Sequence, residues 1–428
     1  MRIFLVMLIM VFLNSGSTIF AAGTQANPVI DNAVLKPAAW LDSKNGNALI
    51  MNPQEVTAFN KRMQADNMPA LQNYPSVISR NTLRGYLQEY EFDNELYVDG
   101  KVLTAAQIAA LSANRNLEGI ENEQEVNYGI VVQRANLRSL PSNWQAFAAP
   151  ADKEFDMWQE TAIDPAEPVV ILHASKDNAF IYVQMRNYRG WLSAQSVALT
   201  DRETWLKYVC PEHFAIVTDK LLRINKGKAQ LTFQMGSRIP TEGENLLLPM
   251  RAANGKLEVL KASATYDDTL HAGYLPYTTN NLIRQAFKFL GNAYGWGGLH
   301  ESVDCSSFVA DVYRTVGVEL PRNADEQETA DTGSSTDLSS FTGKEKLDVV
   351  NDLPIGSALF MPNHVMLYLG SKKDRPYIIH ALGSYGAQDS NGEYLRVPVM
   401  RVVVSDVFLT SRSGETFLAK FTSAQSFR

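Results

Sequence analysis

Residues 295–317, GWGGLHESVDCSSFVADVYRTVG, constrain the fold more tightly than any other stretch. Phe308, Val309, Val312, Tyr313 and Val316 recur at helical spacing, and Gly317 follows them. The pattern predicts one amphipathic helix, buried along one face, with a glycine just past its end. Asp304 fits the N-cap, which places Cys305 at the first helical position. Unpaired N–H groups and the helix dipole favour an anion there. The position is therefore expected to lower the thiol pKa and favour the nucleophilic thiolate. The glycines before it are expected to let backbone and substrate approach the sulfur closely. Taken alone, Cys305 reads first as a small apolar residue in a core helix, and only the other motifs turn the balance.

A thiolate catalyst needs a base. Of the six histidines, His364 stands in MPNHVMLYLG at the start of an apolar strand, and His380 in YIIHALGS at the end of the next. The turn GSKKDRP is short enough to make the two strands antiparallel neighbours with their rings side by side. His364 would then take the thiol proton, and His380 would orient its other ring nitrogen. His173, His271 and His300 have no such surroundings. Cys210 and His213 have the spacing of half a zinc site, but no second pair exists, so neither a metal nor a cofactor is expected.

The rest of the chain changes texture along its length. Residue Arg2, the apolar run 3–13 and the small residues 21–23 read as a signal peptide over residues 1–23, cleaved on export. Residues 24–120 are mostly helical in pattern; Asn52 caps a helix that begins at Pro53. Residues 121–203 and 204–270 are short β-rich runs broken by Pro, Asp, Asn and Gly, which predict two small barrels. Trp191, in GWLS, is expected in the core of the first. Residues 271–428 form the last domain. A chain of 428 residues is too long for one core. The net charge of −7 argues against nucleic acid as a partner. Two cysteines allow at most one disulfide, so export here does not rest on disulfide staples.

The series YGWGG, DCSSFV, LPRNADEQ, NHVMLYLG and IIHA resembles the NlpC-type cysteine endopeptidases of bacterial peptidoglycan. Together with the helical segment and paired SH3-like barrels, the chain is similar to the γ-D-glutamyl-L-diamino acid endopeptidases of that family. The resemblance implies a papain-like α+β catalytic domain preceded by two SH3-like barrels. It implies Cys305 as nucleophile, His364 as base and His380 as third residue. It further implies Tyr294 beside the cysteine, helping to hold the oxyanion or substrate, with Asp304 and Ser306 lining the substrate channel. In the first barrel, Glu167 and Tyr188 are the expected acceptors of a free L-Ala amino terminus. The implied partner is a wall stem peptide or freed murein peptide, met as a monomer in the periplasm or cell wall. Gly356-Ser357 replaces the family's Gly-Asp before the histidine strand. Two alternatives stand beside this reading: a non-catalytic peptidoglycan-binding protein, and a cysteine amidase or acyltransferase acting on another wall bond.

Overall fold

The computed structural model describes residues 32–428, apart from residues 93 and 228; the expected signal peptide lies outside the described residues. Helix α1 (Pro53–Arg62) starts where the sequence signals it. The Asn52 side chain accepts from the N–H groups of Gln54 and Glu55, and Glu55 reaches back to the Asn52 N–H. Val56 and Phe59 turn inward beside Met51, Met63 and Met68, into the core of the C-terminal domain. Phe59 meets Phe427 edge-on at 6.4 Å. Helix α2 (Arg80–Leu87) sends Leu83 and Leu87 into the core of the barrels. Helix α3 (Ala105–Asn114) packs Leu111 with Leu140 and Trp158. Residues 90–111 thus supply most of one small core, completed by Leu140, Ala146 and Trp158. The other apolar residues of this segment are divided between the barrels and the C-terminal domain.

The first barrel is a seven-stranded antiparallel sheet. Its strands are β1 (Asn127–Val131), β2 (Ala135–Arg138), β3 (Gln159–Ile163), β4 (Pro168–Ala174), β5 (Phe180–Gln184), β6 (Arg189–Ser193) and β7 (Val197–Thr200). They run in the order β7-β1-β4-β5-β6-β2-β3. β4 is buried everywhere except Ala174, whereas β3 alternates buried and half-buried residues; one strand is covered on both faces, the other on one. Trp191 is fully buried, 5.3 Å from the Tyr182 ring.

Helix α4 (Arg202–Val209), capped by Asp201, buries Trp205 between the barrels. The second barrel follows with β8 (Phe214–Val217), β9 (Leu221–Lys226), β10 (Ala229–Gln234), β11 (Arg238–Glu242), β12 (Asn245–Arg251), β13 (Leu257–Ser263) and β14 (Leu270–Ala272). Five of these form the sheet β13-β12-β11-β8-β14, and β9 pairs with β10.

In the C-terminal domain, α5 (Thr279–Lys288), α6 (Cys305–Arg314), α7 (Ala324–Thr329), α8 (Gly343–Asn351) and α9 (Phe417–Lys420) surround a six-stranded antiparallel sheet. Its strands are β15 (Ser335–Asp337), β16 (Ala358–Met361), β17 (His364–Lys372), β18 (Arg375–Gln388), β19 (Tyr394–Asp406) and β20 (Ser423–Gln425), ordered β15-β20-β16-β17-β18-β19. α6 lies across β17 and β18. Phe308, Val309, Val312, Tyr313 and Val316, the predicted face, pack on Val365, Leu367, Leu369 and Ile379. The opposite face of the sheet, with Met366, Tyr368 and Ile378, packs on Phe417 and Phe421. Among the described residues, no helix is long and apolar enough to cross a membrane.

Candidate active site

Asp304 caps α6. Its carboxylate accepts from the Ser307 N–H at 2.9 Å, and Ser307 Oγ accepts from the Asp304 N–H at 3.0 Å. Cys305 is therefore the first helical residue. Three groups surround its half-buried thiol: the N–H groups of Val365 and Ser306 and the Tyr294 phenol. Val365 is the second residue of β17, so the sulfur lies at the start of that strand, one residue from His364. Among the described residues no hydrogen bond joins the thiol to His364: the ring stands on the Phe417 face of the sheet with Met366 and Ile378, whereas α6 packs on the face of Val365 and Leu367.

The two histidines meet. His364 Nε2 is 2.7 Å from His380 Nδ1, and both rings are buried. The register pairs Leu367 with Ile379, which puts 364 and 380 on one face, across the β17–β18 pair. His380 Nε2 in turn lies 3.1 Å from Ser405 Oγ on β19. Phe417 stands edge-on to both rings, at 6.2 Å and 6.0 Å. Sequence reasoning missed Ser405: it stands in no motif, and only the pairing of Ile378 with Ser405 places it on the histidine face.

The electrostatics reverse one expectation. Burial pushes the Cys305 thiol up to about 11, and the Asp304 carboxylate adds to the rise. The Val365 N–H, Arg322 and the Ser306 N–H at the helix start pull the other way and do not win. Burial also pushes His364 down to about 4, and burial with the His364 charge holds His380 well below its usual range. Both shifts favour the uncharged forms, thiol and imidazole, at neutral pH.

Asp304 and Ser306 are turned into the protein, each 5% exposed. Arg322 spans Asp304 with both terminal nitrogens, at 3.2 Å and 2.5 Å, donates to Ser306 Oγ at 2.9 Å, and reaches Thr161 Oγ1 on β3 through Nε at 2.7 Å. Burial opposes ionisation of Asp304, but Arg322 overrides it and the carboxyl sits below its usual range. Through Arg322 these two residues tie the start of α6 to the first barrel instead of facing an open channel. Arg322 was visible in LPRNADEQ, but nothing in the sequence showed what it reaches.

Tyr294 stands beside Cys305. Its phenol faces the Cys305 N–H, and burial, then the thiol and Asp304, keep it protonated as a donor. Phe155 of the first barrel packs edge-on against Tyr294 at 6.3 Å and Trp296 at 5.3 Å. The glycines have a different task from the one expected. Gly297 and Gly298 have φ of +54° and +76°, and a Cβ on them would meet Gln159 Cγ at 2.5 Å and Ala162 Cβ at 2.7 Å. They allow β3 of the first barrel, rather than substrate, to approach; Gln159 Nε2 donates to the Gly297 carbonyl at 2.8 Å.

Glu167 does not reach this site. Its carboxylate is held by Arg314 Nη2 at 2.5 Å and lies 3.7 Å from Arg186 Nε, and Arg314 is the last residue of α6, at the far end from Cys305. The acid beside Tyr188 is Glu160, which accepts from the phenol at 2.5 Å. Burial, then Glu160, holds the Tyr188 phenol well above its usual range. Glu160 lies on β3 between Gln159 and Thr161, which contact Gly297 and Arg322. His173 and His271 serve the framework: His173 Nε2 meets the Asn116 carbonyl and His271 Nδ1 the Gly273 carbonyl. Cys210 is exposed, and His213 has Glu212 beside it at 3.9 Å.

Residues 291–404, which hold Cys305, His364 and His380, match the NlpC/P60 family. The chain carries an NlpC/P60 domain. Residues 145–193 match an SH3 domain of the SH3b1 type, within the seven-stranded barrel. A solved NlpC/P60 endopeptidase from Photobacterium damselae subsp. piscicida has a TM-score of 0.74 at 18% identity, over 91% of this chain and 96% of that one; the fold is shared along nearly the whole length. Dipeptidyl-peptidase 6 of Lysinibacillus sphaericus is 23% identical over 218 residues, 47% of this chain and 74% of that protein. An NlpC/P60 family protein from Bacillus cereus ATCC 10987 is more distant, with a TM-score of 0.43 at 16% identity over 70% of this chain and 99% of that one. The SH3 domain packs against the loop that leads into Cys305 of the NlpC/P60 domain.

Proposed function

We propose that this NlpC/P60 peptidase is an exported cysteine endopeptidase of the bacterial cell wall, cleaving the bond from γ-D-glutamate to a diamino acid, meso-diaminopimelate first among them, in stem peptides. The observation that carries the reading is the 2.7 Å contact between His364 Nε2 and His380 Nδ1. It commits one nitrogen of His364 and leaves Nδ1 as the acceptor for the thiol proton, at the strand start where the thiol lies.

In the acylation half, the Cys305 S–H proton moves to His364 Nδ1 and the sulfur attacks the γ-carbonyl carbon. The Cys305 N–H and the Tyr294 hydroxyl are the donors beside the developing oxyanion. His364 returns the proton to the leaving amine as the C–N bond breaks, giving a thioester. In the second half, His364 takes a proton from water, the hydroxide oxygen attacks the thioester, and the proton passes to sulfur as the C–S bond breaks. The resting neutral pair makes proton transfer part of each barrier.

The half-buried Glu160–Tyr188 pair supports a restriction on the peptide. A carboxylate and a phenol on the first barrel, next to the loop before Cys305, suit the ammonium of a free L-Ala amino terminus. The test is mass spectrometry of a digest of L-Ala-γ-D-Glu-meso-diaminopimelate. Release of free diaminopimelate and the dipeptide is expected; cleavage only at the L-Ala bond, or at none, overturns the bond assignment.

A further inference from the structure

We propose that Ser405 is a positioning residue that fixes the proton pattern of the histidine pair; this rests on the reading of His364 as the base. The order of contacts is His364 Nε2 to His380 Nδ1 at 2.7 Å and His380 Nε2 to Ser405 Oγ at 3.1 Å. All three side chains are at least nine-tenths buried: His364 is 8% exposed, His380 0% and Ser405 5%. The line crosses three neighbouring strands, β17, β18 and β19, each step a diagonal on one face.

The direction of the protons follows from the chemistry. To accept from the thiol, His364 must keep Nδ1 empty, so its own proton stays on Nε2. That N–H donates to His380 Nδ1, which must then be a lone pair. The proton of His380 is left on Nε2, and a buried N–H requires an acceptor. Ser405 Oγ supplies one. The requirement is strictest when His364 is doubly protonated, because both its nitrogens then donate and His380 has no alternative pattern.

Removing the hydroxyl leaves the His380 Nε2–H facing apolar surroundings, with the Phe417 ring beside it. The pair escapes that cost by shifting every proton one place. His380 then donates from Nδ1, His364 Nε2 becomes the acceptor, and the remaining proton sits on His364 Nδ1. That nitrogen is no longer free to receive the thiol proton. The variant would be folded, would bind peptide, and would hold its base in the wrong tautomer.

The experiment compares wild type, Ser405→Ala and Ser405→Thr, all full-length, by steady-state kinetics and by ¹⁵N spectra of the histidine rings at neutral pH. Ser405→Ala is expected to lose about ten- to hundredfold in kcat with KM little changed, the usual size for a lost partner behind a catalytic group. Its His364 signals should move from the Nε2–H to the Nδ1–H pattern, and Ser405→Thr should restore both readouts. Wild-type kcat in Ser405→Ala, or a loss of kcat with the His364 pattern unchanged, overturns the proposal. Should Ser405→Ala not fold, Ser405→Cys carries the same test with a weaker acceptor of similar shape. Failure of the underlying reading is separable: it shows as turnover in Cys305→Ala, whatever Ser405 does.

Discussion

Arg322 grips the Asp304 cap of α6 with both terminal nitrogens while its Nε holds Thr161 in the first barrel. One guanidinium therefore sets the position of Cys305 relative to the SH3 domain. The fork matters, since three separate acceptors are reached from one plane. Replacing Arg322 with alanine leaves a buried carboxylate without its cation, a loss of about 3–5 kcal/mol. Arg322→Ala is expected to lower Tm sharply and to cut kcat/KM. Arg322→Lys keeps the charge but not the fork, and is expected to recover less than half of either loss. Full recovery by lysine in thermal melts and peptide assays would show that charge alone is needed.

Alkylation reports the resting state of the thiol. Cys210 is exposed, so Cys210→Ala is the background to use. With Cys305 near 11 and His364 near 4, the thiol is neutral throughout the physiological range. The rate of Cys305 alkylation by iodoacetamide should climb about tenfold per pH unit from 6 to 10, following the thiolate fraction. A thiolate–imidazolium pair would give a rate already level by pH 6.

Two buried groups oppose each other in the pH dependence of stability. His364 is lowered to about 4, so between about 6.5 and 4 the unfolded chain binds a proton that the folded protein refuses. Stability falls on acidification through that window. Asp311, on α6, lines a cavity of about 40 Å³ between the barrels and the helix. Burial, then Asp164, raises it to about 7. Its contribution is present below about 3.9 and is lost as pH rises through about 7. Asp311→Asn keeps an acceptor for Gln234 Nε2, now 2.9 Å away. It should raise Tm at pH 8 and steepen the fall in Tm between pH 7 and 5. Parallel melting curves for variant and wild type would remove Asp311 from the balance.

The Glu160 assignment separates from Glu167 by substrate. Glu160→Gln should lower kcat/KM for a peptide with a free amino terminus by about ten- to a hundredfold, the worth of a charged hydrogen bond. Its rate on the N-acetylated peptide should not change. Glu167→Gln should lower Tm, through Arg314, without altering that ratio. Equal losses on both peptides in Glu160→Gln would exclude it from the amine site.

How much of this was legible depended on whether a signal was local. The α6 face, the Asp304 cap and the two histidine strands follow from periodicity and turn residues within short windows, and the structure places them as read. The Glu160 position is also legible: QETAI alternates, which puts Glu160 on the half-buried face of β3, whereas Glu167 has only its nearness to PVVIL to recommend it. What sequence could not supply was the far partner. The glycines at 297 and 298 make sense only against β3, and Ser405 only against His380. The divided cores of the N-terminal segment show the same limit: the helices were readable, but what they cover was not.

The central claim is that Cys305 forms the bond to substrate. The most direct measurement is turnover of L-Ala-γ-D-Glu-meso-diaminopimelate by full-length Cys305→Ala beside wild type, followed by release of free diaminopimelate, with melting curves to show that both are folded. A folded variant with no release above the uncatalysed rate is the expected result. Release at a rate near wild type would contradict it and move the nucleophile elsewhere.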